Sequence, residues 1–133
     1  MPPRESRVQM EPPVIYVVDD DAFVRKAIRR LLLSLNIPVQ MFASAEQFLA
    51  LAKSGTRGCL ILDLHLPGIS GLQLQRQLVT QQWTLPVVVV TAHDDDAARD
   101  AALGMGAVAF IRKPFDRVQF LDIVRAAIGL NHS

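Results

Sequence analysis

The sequence predicts a (βα)5 domain, a doubly wound five-stranded parallel sheet with helices on both faces, and three observations carry that reading. Short apolar runs rich in β-branched residues recur five times. Each precedes a longer stretch with apolar residues at helical spacing, and the runs lie about twenty to twenty-five residues apart, as β-α units with short loops require. The first run, Val14–Val18, is apolar on both faces, which suits a central strand. A helix follows over residues 21–35, with Val24, Ile28, Leu31, Leu32 and Leu35 on one face. The second run, residues 38–42, opens with Pro38 and carries Gln40, both marks of an edge strand. Ser44-Ala45-Glu46-Gln47 then has the spacing of a capping box and starts a helix over residues 45–53. The third run, Gly58–Leu62, is again apolar throughout and leads to a helix over residues 71–82 carrying Leu72, Leu74, Leu78 and Val79. The fourth, residues 86–90, is central by the same argument, and the helix after it, residues 96–103, is alanine-rich and stopped by Gly104. The fifth, residues 107–111, precedes a helix over residues 117–128 that closes at Gly129.

The 133 residues make one domain, since domains cluster at about 100–150 residues. Half of the chain is hydrophobic and 20% is charged, a composition for a packed core and not for disorder. Residues 1–13, with four prolines among polar residues, read as a flexible leader, residues 14–129 as the folded domain and residues 130–133 as a short tail. Fourteen basic side chains against thirteen acidic ones leave a net charge of +1, so no global field draws the chain to nucleic acid or an anionic membrane. A single cysteine, Cys59, can form neither an internal disulfide nor a zinc cluster, which fits a cytoplasmic setting. No apolar run approaches the ~18 residues that span a bilayer, and the first residues lack the apolar stretch of a secretory signal.

In open α/β sheets ligands bind beyond the carboxyl ends of the strands. There the first strand runs into Asp19-Asp20-Asp21, the third into Asp63, the fourth into Thr91 and the fifth through Arg112 into Lys113, while the second ends in Ala43-Ser44. Two or three carboxylates, a hydroxyl and an ammonium therefore share one rim. Carboxylates held that close repel unless a cation or a proton intervenes. Oxygen donors without thiolate suit Mg2+, which takes one or two carboxylates and leaves positions for phosphate oxygens. Lys113 and Thr91 are then placed to bind the other oxygens of a phosphoryl group, and Asp63 is the candidate acceptor, because carboxylates do act as nucleophiles that form acyl phosphates.

These residues, in Val17-Val18-Asp19-Asp20-Asp21, in Leu62-Asp63-Leu64-His65-Leu66-Pro67-Gly68-Ile69-Ser70-Gly71, in Val90-Thr91-Ala92 and in Lys113-Pro114-Phe115, resemble the receiver (REC) domain of bacterial two-component response regulators. The resemblance spans residues 14–129 and rests on four motifs in the family's order. It implies a flavodoxin-like, CheY-like strand order 2-1-3-4-5. It also implies phosphoryl transfer from a sensor histidine kinase to Asp63, and Mg2+ held by Asp19, Asp20, Asp63 and the backbone carbonyl of His65. Thr91 and Lys113 then contact the phosphoryl oxygens, and Pro114 follows a cis peptide. Such a protein is a signalling switch that supports its own phosphotransfer and autodephosphorylation and is not a conventional enzyme. The family's switch pair would be Thr91 and Phe110. Phosphorylation would change the face formed by the fourth helix, fifth strand and fifth helix, controlling homodimerisation or an output partner in transcription. His65 and His93 hold the two rim positions that flank the path of attacking water. Residues 110–115 and Ser70-Gly71-Leu72 look most like regulators of the FixJ/NarL type, whose DNA-binding helix-turn-helix the remaining Asn131-His132-Ser133 cannot hold. DNA would then be reached only through a separate output domain, whether the chain is a single-domain regulator or an excised receiver.

Blander readings compete at several positions. Helix capping accounts for Asp21 and for Asp94-Asp95-Asp96, whereas Asp19 and Asp20 share their rim with Asp63, Thr91 and Lys113. His65 and His93 lack the spacing of transition-metal ligands. Cys59 reads as a buried strand residue and Trp83 as a packing residue in a loop or at a helix end. Arg25, Lys26, Arg29 and Arg30 make a basic stripe on the first helix, either a solvated face or a kinase-docking surface. The apolar arc Phe120, Leu121, Ile123, Val124, Ala127 and Ile128 is either core or docking surface. A haloacid-dehalogenase-like phosphatase would want an acid two residues after its nucleophile, where this chain has His65. A flavodoxin-like electron carrier would want a Ser/Thr/Gly phosphate loop where this chain has three aspartates.

Overall fold

The computed structural model describes residues 12–93 and 95–129; the expected leader through residue 11, the tail and Asp94 lie outside them. Five strands, β1 (Val14–Val18), β2 (Val39–Phe42), β3 (Gly58–Leu62), β4 (Val87–Thr91) and β5 (Ala109–Arg112), form one parallel sheet in the order β2-β1-β3-β4-β5. The helices are α1 (Ala22–Leu32), α2 (Ala45–Leu51), α3 (Gly71–Thr80), α4 (Asp96–Gly104) and α5 (Arg117–Gly129). The expected architecture and order 2-1-3-4-5 therefore hold, with β2 and β5 at the edges. Both proline-led runs begin one residue late, because Pro38 and Pro86 have no N–H to give a ladder. Their carbonyls still take part, accepting from Ile15 N and Leu60 N at 2.9 and 2.8 Å.

Alternation along the strands divides the core in two. Tyr16, Val18, Leu60, Leu62, Val87 and Val89 face α2, α3 and α4, while Ile15, Val17, Cys59, Ile61, Val88 and Val90 face α1 and α5. On the first face Phe48 of α2 meets Tyr16 and Phe42 edge-on at 5.4 and 5.6 Å, arrangements worth about 0.5–1.5 kcal/mol each beyond burial. Trp83, just past α3, packs on the same ring at 5.6 Å, the packing role expected of it. On the second face Phe120, Leu121, Val124, Ala127 and Ile128 of the apolar α5 arc are buried in the core, while Ile123 is half-buried against it. Among the described residues, the large apolar side chains exposed on the α4-β5-α5 side are Leu103, Val108 and Val118.

Several helix ends differ from expectation for local reasons. α1 tightens into a 3-10 turn, Leu33–Leu35, and stops at Asn36 with φ 55°. α3 ends at Thr80, earlier than expected. α4 runs through Gly104, and its stop is Gly106, at φ 101°. Ala107 N donates to Ala102 O at 3.1 Å and Gly106 N to Leu103 O at 3.0 Å, a Schellman closure that needs the left-handed residue one place beyond the cap. At α2, Ser44 accepts from Gln47 N, but the Gln47 side chain reaches Ala43 N and not the cap itself. The reciprocal capping box is at α3, between Ser70 and Gln73.

Candidate functional site

The order β2-β1-β3 reverses the direction of winding between β1 and β3, so the ends of those strands open a crevice. Asp19 and Asp63 stand there, one residue past each strand, and the ladder continues to them: Asp19 N donates to Phe42 O at 3.1 Å and Asp63 N to Val18 O at 3.0 Å. Both carboxylates are buried, whereas Asp20 is exposed. Carboxylate oxygens of Asp19, Asp20 and Asp63 lie within 4.8 Å of one another, a donor set of hard oxygens that fits a small divalent cation. Asp21 caps α1 by accepting from Phe23 N and Val24 N, so the third aspartate is a cap as expected. Asp95, in the acidic run before α4, likewise caps that helix by accepting from Ala98 N.

Lys113 comes in from the end of β5. Its Nζ lies 2.7 Å from Asp19 Oδ2 and 3.5 Å from Asp63 Oδ2. Lys113 N donates to Thr91 O at 2.8 Å, which fixes where the side chain starts, and the Lys113–Pro114 peptide is cis. Burial by itself would lower the Lys113 pKa, but its bond to Asp19 and the charges of Asp63 and Asp19 outweigh that and hold the ammonium above its ordinary value. The Asp63 carboxyl is moved up, first by burial and further by Asp19, against the opposing pull of the His65 N–H and Lys113. That N–H donates to Asp63 Oδ1 at 3.1 Å and sets the carboxylate's orientation.

Thr91 ends β4 with its side chain buried and its Oγ1 accepting from His93 N at 3.3 Å. The imidazoles of His65 and His93 meet with ring centroids 3.8 Å apart, bridging the ends of β3 and β4 above the rim. Phe110 is half-buried beside the α4 face of the core and lines a surface hollow with Arg99, Leu103 and Arg112. Asp19, Asp20, Asp63 and Lys113 are thus in mutual reach, and Thr91, His65 and His93 border them.

Some contributors were missed by sequence reasoning. Arg25, read as part of a basic stripe that is either solvated or a docking surface, donates from its guanidinium to Asp19 O at 2.6 Å and ties α1 to the end of β1. Glu46, in the first turn of α2, accepts from Ile69 N at 2.9 Å and braces the loop that follows Asp63. Gly71 opens α3 so close to the site strand that a Cβ would fall 2.3 Å from Asp63 O, while its own N–H donates to Leu64 O at 3.0 Å. Only the glycine left a trace in the sequence, as the last residue of the motif after Asp63. Cys59 is buried in β3 as expected, and burial pushes its thiol up to about 12, away from reactivity.

A five-stranded parallel α/β sheet with a cation-capable acidic cluster and a lysine at its crevice defines a class of α/β domains, and similarity to known proteins makes it particular. The chain belongs to the response regulator receiver domain family, whose model matches residues 15–125, and is thereby a two-component signalling module. The transcriptional regulatory protein TdiR of Thauera aromatica is 39% identical over 117 residues, covering 88% of this chain and 52% of that protein. The transcriptional regulatory protein FixJ of Azorhizobium caulinodans is 37% identical over 115 residues, covering 86% and 54%. The chain spans about half the length of the curated relatives it matches. Among solved structures, response regulator StyR superposes with a TM-score of 0.85 at 39% identity, covering 91% of this chain and 61% of that one. FixJ-N superposes at 0.80 and 36%, covering 90% and 96%.

Proposed function

We propose that this receiver accepts a phosphoryl group on Asp63 from a phosphohistidine of a sensor kinase, and that the phosphorylated form signals through the α4-β5-α5 face. The observation that supports this above the rest is the convergence of Asp19, Asp63 and Lys113, two buried carboxylates sharing one ammonium, at the crevice end of the sheet. Asp63 Oδ2 attacks phosphorus as the phosphorus–nitrogen bond to the kinase imidazole breaks, and the bonding pair leaves with the imidazole, which takes up a proton. Lys113 and the Thr91 hydroxyl bind phosphoryl oxygens. Asp19, Asp20, Asp63 and the His65 carbonyl would hold Mg2+, which neutralises charge on the transferring group. Hydrolysis returns the acid: water adds to phosphorus, the bond to Asp63 breaks and inorganic phosphate departs. His65 and His93 narrow the approach of that water and set the lifetime of the phosphorylated state.

The relatives named as transcriptional regulators support an output in transcription, with DNA reached through a separate output domain. The pairing partner on activation is a second copy or an output domain. No helix among the described residues is long and apolar enough to cross a membrane, and a cytoplasmic setting suits the proposed kinase partner. Thr91 turning toward a phosphoryl oxygen would free space for Phe110 to move inward, the two-state element such a switch requires. In light scattering, beryllofluoride with Mg2+ is expected to double the mass of the wild type but not of Phe110→Ala; a monomer at saturation would rule out self-association, and equal dimerisation of both proteins the Phe110 coupling.

The test of the phosphoacceptor reading is labelling by acetyl phosphate with Mg2+, followed by intact mass. Asp20→Ala is expected to slow labelling by about 10²-fold, the scale of losing one preorganised charge-stabilising group. Mg2+ at ten times its Kd should raise the wild-type stability by about 1.4 kcal/mol, a few degrees in Tm, and leave the variant unmoved. Equal Mg2+ shifts in the two proteins would remove Asp20 from the metal site. In the same assay His65→Ala and His93→Ala should still label but lose the phosphoryl group at altered rates; unchanged decay in both and in the double variant would sink their proposed role.

A further inference from the structure

His65 and His93 are far apart along the chain, and nothing in their spacing suggests a metal site; the fold brings them together. β3 and β4 are paired neighbours, and each histidine stands just beyond the end of one of them. Their imidazoles meet with centroids 3.8 Å apart and planes inclined at 38°. Both backbones are pinned where the side chains start. The His65 N–H donates to Asp63 Oδ1 at 3.1 Å and the His93 N–H to Thr91 Oγ1 at 3.3 Å. Both residues are exposed, so an ion reaches the rings directly from solvent.

We propose that this pair chelates a borderline divalent transition cation, Zn2+ or Cu2+, through one ring nitrogen of each imidazole, with water completing the coordination. Two nitrogens bound at about 2.0–2.1 Å to one tetrahedral ion lie about 3.3 Å from each other. Rings whose centroids are 3.8 Å apart place their edges in that range. The broad second torsion of histidine then lets each ring turn a nitrogen toward a common point at little cost. Pinned backbones supply the preorganisation that two independent histidines lack. The ligand type selects the ion, because imidazole suits Zn2+ and Cu2+ whereas Mg2+ takes oxygens. This second site is therefore chemically distinct from the cluster of Asp19, Asp20 and Asp63, whose negative charge favours a cation nearby. It stands whether or not Asp63 accepts a phosphoryl group, and it is read without a phosphoryl donor.

Cu2+ is the probe, because it binds nitrogen sites most tightly in the first-row series and its electron paramagnetic resonance counts the nitrogens bound to it. The chain's third histidine, His132, is replaced by alanine in every sample, so that a two-imidazole signal has a single origin. One equivalent of Cu2+ is expected to couple to two nitrogens, and the coupling should persist on dilution of the complex. His65→Ala and His93→Ala should each lower the nitrogen count. Each should also weaken Cu2+ binding at least about tenfold, the loss that removing even a hydrogen-bond partner of a metal ligand brings. A large excess of Zn2+ should displace the signal, whereas Mg2+ at the same concentration should not. Melting curves without metal verify that the variants fold, and the nitrogen count of the parent chain tests the proposal even without them. Fewer than two nitrogens in the parent, coupling lost on dilution, unchanged affinity in either variant, or equal displacement by Mg2+ and Zn2+ would overturn it.

Discussion

Asp63→Asn is expected to lose acetyl-phosphate labelling entirely while melting a few degrees higher than the wild type at pH 7 without divalent cations. An amide oxygen cannot form the acyl phosphate, so the chemical effect is total. The stability effect follows from the direction in which the site moves the carboxyl. Burial, with Asp19 adding to it, raises the Asp63 pKa above its ordinary 3.8. Folding therefore favours the protonated acid, and the stability this brings is present at low pH and lost as pH rises through the folded value. At neutral pH the wild type holds an ionised, desolvated carboxylate that Asn replaces without charge, and Lys113 keeps Asp19 as its partner at 2.7 Å. The advantage of the variant should shrink as pH falls and vanish below the ordinary carboxylate range. Melting curves from pH 3 to 8 check the sign, and a variant less stable than the wild type at pH 7 would show that the Asp63–Lys113 attraction outweighs desolvation.

Gly71→Val is expected to cost about 3 kcal/mol, roughly 10 °C or more in Tm, and to slow labelling in the fraction that remains folded. A Cβ at this position would meet Asp63 O at 2.3 Å and Leu64 Cα at 2.6 Å, both backbone atoms of the segment that carries the Asp63 carboxylate. Relief requires α3 to move off the strand end, and that shift moves Asp63 against Lys113. Gly104→Ala is the matched control, because nothing lies within 4 Å of its Cβ position. It should be neutral or slightly stabilising. Chemical denaturation of the two variants side by side tests the contrast; a Gly71→Val protein within 0.5 kcal/mol of wild type would refute the close approach.

The strands were legible because a parallel sheet buried on both faces leaves continuous apolar runs, and the candidate site residues stand out because polar side chains begin where those runs stop. Pro38 and Gln40 marked β2 as an edge for reasons that hold in the structure. What escaped was whatever depends on the path the backbone takes outside the regular elements. Arg25 and Glu46 look like surface charges until the fold brings Asp19 O and Ile69 N to them. Gly104 and Gly106 are equivalent as letters, and only the backbone path at the end of α4 decides which must turn left-handed. The arc on α5 was ambiguous because periodicity gives the width of an apolar face and not how much of it the sheet covers.

β5 has four residues and is hydrogen-bonded to a neighbour on one side only, yet it delivers Lys113. Any partial opening that peels this strand from β4 carries away the cation shared by Asp19 and Asp63, leaving two carboxylates buried together between strands that stay paired on both flanks. The ion cluster thus acts as a clasp on one margin of the sheet, and a group added to Asp63 would change its grip. Amide hydrogen exchange along residues 109–113 becomes, by that link, a record of the chemical state of a side chain two strands away.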